Sequence, residues 1–386
     1  MNTPTPASER YRRYVADTIK HRIPVIVRSA GEGLPPMVAN RITAILRVLD
    51  QDAPMVADLS DWPFEGWAGL PARVNGKRVS QAAFFDFEYW LYLRILTAVG
   101  FPETRRDPFR QTKHKDLDRH LKWGDEALGR TRTLSDALRL SIDANAQDLS
   151  QLTGPSSNYE IGFDMLRLVP GEINRLNIVA DNFGGEFIAD LVLAIVAAEA
   201  GIDVVVHVKQ VPMFVSDTTS DDVTILLDRL TTGGEFAQRL GRAISLKSLR
   251  FASHPFWSSP QFFDKLPLEE LGQGPKVLNV VKGDLNFRRA IGDACVDIGT
   301  PFDELPVLPA APILSLRSIK SYCVAGMVLW PVKLGKDDFP MDGSIVLAQR
   351  VGARDAATPL PTASAKSSSD GPPPLERAKR WLRRRG

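Results

Sequence analysis

From the start of the chain to about residue 155, apolar residues return at three- and four-residue intervals, the spacing that gathers them on one face of an α-helix. Residues 80–99 are the clearest case, with Phe84, Phe87, Leu91, Ile95 and Val99 in register. Residues 11–20, 37–49, 116–128 and 134–152 read as further helices. Prolines together with Gly31, Gly33, Gly66, Gly69 and Gly76 mark the connections. From about residue 170 the pattern becomes short, nearly all-apolar runs at 177–180, 204–207, 277–281, 312–316 and 345–347. A helix-like stretch at 187–200 comes after the first run, and Gly201 stops it. Apolar strands alternating with helices predict an α/β fold with a largely parallel sheet covered on both faces. The pattern therefore divides the chain into a helical region (1–155) and an α/β region (156–352).

Residues 353–374 are rich in Ala, Ser, Thr and Pro and read as a disordered linker. The last segment, 375–386, has six Arg or Lys against one Glu, around Trp381 and Leu382. Such a segment suits contact with an anionic surface, although the plainer reading is a solvated tail.

Composition narrows the class. Hydrophobic residues make up 44% and charged residues 24%, enough material for a sizeable core. A formal net charge of +2 asks for neither nucleic acid nor a membrane as partner. The two cysteines, Cys295 and Cys323, have no metal-ligand spacing and make no disulfide framework, so a reducing, cytoplasmic location is expected. The polar, proline-bearing start has no apolar run behind a basic segment, so no secretory signal is expected. No stretch approaches the roughly 18 apolar residues that a transmembrane helix needs.

The informative feature is the polar cluster at the end of each predicted strand. The first strand leads into Asp181-Asn182-Phe183-Gly184-Gly185-Glu186, and the second into Lys209 and then Ser216-Asp217-Thr218. The third leads into Lys282-Gly283-Asp284-Leu285-Asn286, and the fourth into Arg317 and Lys320. In open parallel sheets, ligands sit outside the carboxyl ends of the strands. Asp181, the Asn182 amide oxygen and Asp217 are hard oxygen donors of the kind Mg²⁺ or Mn²⁺ accepts. The lysines and the arginine suit phosphate oxygens. Gly184 and Gly185 would let backbone approach a ligand, with the next helix amides favouring an anion. Alone, an Asp-Asn pair after a strand reads as a turn or a helix cap. Four such clusters on successive strand ends read as a site.

Other chemistries find less support. The five histidines are scattered, and His207 reads as a packed or hydrogen-bonded core residue. There is no Gly-x-Ser-x-Gly elbow, no phosphate-binding Gly-x-x-x-x-Gly-Lys loop and no Gly-x-Gly-x-x-Gly dinucleotide pattern. Trp90 and Tyr92, close to Glu88, read as packing residues.

The stretches 181–186, 190–194, 215–219 and 282–288 together resemble the damage-control phosphatase family. The closest likeness is to its subfamily named for acidic-residue (protein-glutamate) methyltransferase activity. Arg317-Ser318-Ile319-Lys320 resembles that subfamily's Arg-Thr-x-Lys motif with Ser in place of Thr. Residues 88–92 and 107–109 add to the likeness, and Phe287 stands where the family often has Tyr. The resemblance implies a helical N-terminal domain packed on a three-layer α/β/α Rossmann-like domain. It implies that Asp181, Asn182 and Asp217 hold a divalent metal (Mn²⁺, Co²⁺, Ni²⁺ or Mg²⁺). Glu186, Lys282, Asp284, Asn286 and Lys320, with Arg317, would surround a phosphorylated small-molecule substrate such as fructose 1-phosphate or fructose 6-phosphate. Asp284 and Glu186 are the candidates for general acid or base beside Asp181. Two alternatives stay open: S-adenosylmethionine-dependent protein-glutamate O-methylation, and non-catalytic sugar-phosphate binding.

Overall fold

The computed structural model describes residues 8–145, 159–168, 171–230, 233–267, 269–309, 311–327, 330–331, 334–335 and 338–352. The predicted linker and basic tail lie outside them, as does the end of the helix predicted at 134–152.

Seven strands form one sheet: β1 Tyr159–Ile161, β2 Arg175–Val179, β3 Asp203–Val208, β4 Leu249–Ser253, β5 Val277–Lys282, β6 Ile313–Ser318 and β7 Ile345–Val351. Their order is β1-β7-β6-β5-β2-β3-β4. Every pairing is parallel except β6 with β7, which is antiparallel. β3 shows why the run of valines becomes a strand. Val204, Val205 and Val206 are all buried, so both faces of the strand need apolar, β-branched side chains. β2 is hydrogen-bonded to β3 on one side and to β5 on the other, so the chain changes direction across the sheet there. Such a switch point opens a crevice at the strand ends.

Helices cover both faces. The first six are α1 Glu9–Asp17, α2 Ile23–Gly31, α3 Pro36–Asp50, α4 Leu70–Val74, α5 Phe84–Ala98 and α6 Phe101–Thr104. They share one apolar core with Val179, Val281, Phe287 and Trp257 from the strand ends and short helices of the α/β region. α5 is apolar nearly all round because it lies inside that core. A π-helical turn, Thr18–Arg22, joins α1 to α2.

The opposite face is covered by α10 Gly185–Glu199, around which pack α7 Arg110–His120, α8 Trp123–Arg130, α9 Leu134–Asn145 and, later in the chain, α12 Glu235–Ser245. Leu117, Leu138 and Leu193 there meet Ile178, Val206, Val280 and Leu316 of the strands. This changes the division drawn from the pattern. The helices at 110–145 are a covering layer of the sheet, and the earlier helices have no core of their own. The remaining helices are α11 Ser220–Arg229, α13 Pro255–Ser258 and α14 Asp284–Ala290. Among the described residues no helix is long and apolar enough to cross a membrane.

Candidate functional site

The loop after β2 and the loop after β3 are laced together. The Asp181 carbonyl accepts from Thr218 N at 2.8 Å, Phe183 N donates to Ser216 O at 2.6 Å, and Asn182 and Asp217 form an antiparallel bridge. That lacing brings two carboxylates from different strands to one place. From the other side comes the loop after β5. There Gly283 adopts φ +84°, and a Cβ on it would lie 1.8 Å from Asp181 Oδ2. A side chain is therefore excluded at 283 twice over, by backbone conformation and by space.

A cavity opens at this junction. Asp181, Asn182, Ser216, Asp217, Asp284 and Lys320 line it from the strand ends. Tyr14, Arg22, Glu88 and Tyr92 line it from the first helices, and Phe214, Leu285 and Arg288 complete it. Arg22 arrives from the π-helical turn between α1 and α2.

The carboxylate side is compensated from below by buried lysines. Lys209 Nζ lies 2.6 Å from Asp217 Oδ1 and 3.6 Å from Asp181 Oδ1. Lys113 Nζ donates to the Asp217 carbonyl at 2.9 Å and pairs with Asp107 and Asp222. Desolvation pulls the pKa of Lys209 down, but the Asp217 and Asp181 charges outweigh it and the net shift is upward. Lys113 behaves alike, with Asp107 and Asp222 overcoming desolvation. With two lysines against four aspartates, the cluster carries a formal charge of −2.

The donor set fits a divalent ion: two carboxylates and an amide, all hard oxygen donors, with a matching charge excess. Among the described residues there is no group of three or more His, Cys, Asp or Glu side chains placed to hold a metal. The protein ligands would thus be Asp181, Asp217 and Asn182, with water completing the shell as Mg²⁺-type ions allow. The Asn182 amide is held in one orientation. Its Nδ2 donates to Glu186 Oε2 at 2.9 Å and to Asp181 Oδ2 at 3.3 Å, and its Oδ1 accepts from Ser216 Oγ at 2.6 Å. A carboxylate can only accept, so Glu186 fixes which end of the amide is which.

The sequence-predicted residues separate into two groups. Asp181, Asn182, Asp217, Asp284 and Lys320 line the cavity; Glu186, Lys282, Asn286 and Arg317 stand behind it. Lys282 is fully buried, donating to the Ser141 carbonyl at 2.6 Å, to Ser141 Oγ at 2.9 Å and to Asp190 Oδ1 at 2.8 Å. Glu186 lies 3.3 Å from it. Burial pushes the Asp190 carboxyl upward against the pull of Lys282. Asn286 Nδ2 donates to the Lys282 carbonyl at 2.9 Å. Arg317 lies on the Phe287 ring, 3.5 Å from its centroid, and donates to Asp284 Oδ1 and, at 3.0 Å, to the Cys323 carbonyl. Lys320 donates to the Asn145 carbonyl at 2.8 Å.

The expected anion site at the start of α10 is already taken. Gly185 N donates to Asp116 Oδ2 at 2.9 Å, and the space beside Gly184 and Gly185 is filled by Asp116 and His120. Those glycines admit protein side chains, not a ligand. His207 is packed against Trp257 as expected of a core residue, yet neither ring nitrogen has a hydrogen-bond partner.

Three participants escaped the pattern. Asn145 Nδ2 donates to Glu186 Oε1 at 2.8 Å, and its Oδ1 accepts from Ser318 N at 2.7 Å. Arg288 lies between Glu88 Oε2 at 2.7 Å and Asp293 Oδ1 at 2.6 Å. Burial raises the Glu88 pKa while Arg288 opposes the shift. Glu88 did carry a signal, since a carboxylate inside an otherwise apolar helix needs a buried partner.

Residues 37–330 match the family model described as the damage-control phosphatase ARMT1-like domain. The chain belongs to that family. It is similar to the damage-control phosphatase ARMT1 of Xenopus laevis, 31% identical over 190 residues, covering 45% of this chain and 40% of that one. The human protein of the same name is 29% identical over 167 residues, covering 40% and 37%. The matched segment thus spans about two-fifths of the length of these relatives. A solved structure of a DUF89 family protein from Pyrococcus horikoshii aligns with 82% of this chain and 92% of its own at 15% identity, with a TM-score of 0.44.

Proposed function

We propose that this cavity hydrolyses phosphate monoesters of small metabolites with a divalent ion held by Asp181, Asn182 and Asp217, as a damage-control phosphatase. The observation that carries the reading is the meeting, in one cavity at the switch point, of a carboxylate pair in a cluster of charge −2 with the cations Lys320 and Arg288. A bound Mn²⁺, Co²⁺, Ni²⁺ or Mg²⁺ would supply concentrated positive charge at the phosphoryl group.

The chain's own part is positioning and charge. Lys320, its ammonium fixed by the Asn145 carbonyl, neutralises charge on the non-bridging oxygens. Arg288 is locked by Glu88 and Asp293 and brings a fixed positive charge to the cavity wall. Of the two candidate carboxylates, Asp284 rather than Glu186 is placed to move a proton in the cavity, since it lines the space and Arg317 orients one of its oxygens. Glu186 is held by Asn145, Asn182 and Lys282 and acts by orienting the Asn182 amide. Glu88, Tyr14 and Tyr92 offer hydroxyl-recognising groups, which favours sugar phosphates such as fructose 1-phosphate or fructose 6-phosphate.

Adenosine binding at the start of α10 is disfavoured by the Asp116 and His120 side chains that fill that turn, which weighs against methyl transfer. The test is phosphate release from a panel of sugar phosphates by chelator-treated protein with each metal restored in turn. Metal-restored turnover supports the reading, whereas tight substrate binding without turnover would leave only a sugar-phosphate binder.

A further inference from the structure

We infer that Lys209 is a tethered counter-ion of the metal site, one that holds Asp181 and Asp217 together without metal and lowers the site's affinity for the ion. The inference rests on the reading that these carboxylates hold a divalent ion. Two aspartates from different strand ends converge within a protein interior, Asp217 1% and Asp181 8% exposed. Such a pair repels strongly when desolvated unless a cation lies between its members. The Lys209 ammonium is that cation, 2.6 Å from one carboxylate and 3.6 Å from the other. It is itself only 2% exposed, so solvent does little to screen its charge.

The position of Lys209 does not depend on its charge. Its backbone N donates to the Thr218 carbonyl at 2.9 Å, and its carbonyl accepts from Ser220 N at 3.0 Å. The strand end is thus pinned by main-chain bonds to the two residues that flank Thr219, just after Asp217, and an uncharged side chain of similar length keeps those bonds. Such a change removes one positive charge a few ångströms from where a second cation would sit. In a poorly screened interior that charge opposes the incoming ion directly. Lys113 cannot replace it, because its ammonium reaches the Asp217 carbonyl and is engaged by Asp107 and Asp222.

Lys209→Met tests this by calorimetric titration with Mn²⁺ alone and by thermal melting with and without Mn²⁺. Relative to wild type, the variant is expected to bind Mn²⁺ at least tenfold more tightly. Metal-free, it should melt lower, and Mn²⁺ should raise its melting temperature by more than it raises that of wild type. A variant that is insoluble unless Mn²⁺ is supplied during expression supports the inference in the same way. Unchanged or weaker Mn²⁺ binding, a melting loss that Mn²⁺ does not repair, or insolubility with and without Mn²⁺ overturns it. Wild-type protein that binds no Mn²⁺ would instead remove the metal site on which the inference stands, and that result is read from the wild-type titration alone.

Discussion

Gly283 and Asp181 share a space that admits only one side chain: a Cβ at 283 would lie 1.8 Å from Asp181 Oδ2. The glycine also has φ +84°, a conformation in which L-residues are strained by about 1 kcal/mol or more. Gly283→Ala should therefore displace the Asp181 carboxylate, with turnover falling by about a hundredfold or more and Mn²⁺ binding weakened. Steady-state kinetics beside metal titration check it, and a variant with wild-type values would show that Asp181 need not stand where it does.

Asp284 and Glu186 are both acidic and both near the site, but only Asp284 faces the cavity. Asp284→Asn should lower kcat by about 10²–10⁴ while KM changes little, the pattern of a lost proton-transfer group. Glu186→Gln should mainly weaken metal binding, because it frees the Asn182 amide to turn. Kinetics of the two variants with Mn²⁺ titrations separate the roles; the reverse pattern would exchange them.

His207 makes part of the stability depend on pH. Burial, with Arg175 and Arg250 adding to it, depresses its pKa to about 4. Glu270 Oε2 is 3.7 Å from Nδ1, too far for a hydrogen bond. The unfolded chain thus takes up a proton near pH 6.5 that the folded chain refuses until about pH 4. This contribution is complete above pH 6.5 and is lost as pH falls through that window, on the order of 3 kcal/mol in full. His207→Leu should lose less stability between pH 7 and pH 5 than wild type in denaturant titrations. Equal losses would show that His207 does not titrate in that range.

How far the sequence reached depends on geometry that a pattern does not carry. β3 was legible because a strand buried on both faces must be a run such as Val204-Val205-Val206. That Asp181, Asn182 and Asp217 come to line one cavity was legible only from the set of polar clusters on successive strand ends, since one such pair alone reads as a turn or a cap. β4 was not, since it is an edge strand with exposed Arg250 and no apolar run. β1, Tyr159–Ile161, is too short to show a period. Lys282 illustrates a different limit. It has the same parity as Leu278 and Val280, so it points toward α9 and α10 and is spent on Asp190. Nothing in residue type distinguishes it from Lys320, which lines the cavity. Asn145 was hidden because its partners Glu186 and Ser318 lie 41 and 173 residues away in the chain.

The central claim is that Asp181 belongs to a metal site at which phosphate esters are hydrolysed. Its most direct test is phosphate release from fructose 1-phosphate, with Mn²⁺ present, by wild type and by Asp181→Ala shown by circular dichroism to be folded. Wild type is expected to show turnover that a chelator abolishes and Mn²⁺ restores, and the variant none above background. Wild-type-like turnover by folded Asp181→Ala would contradict the claim.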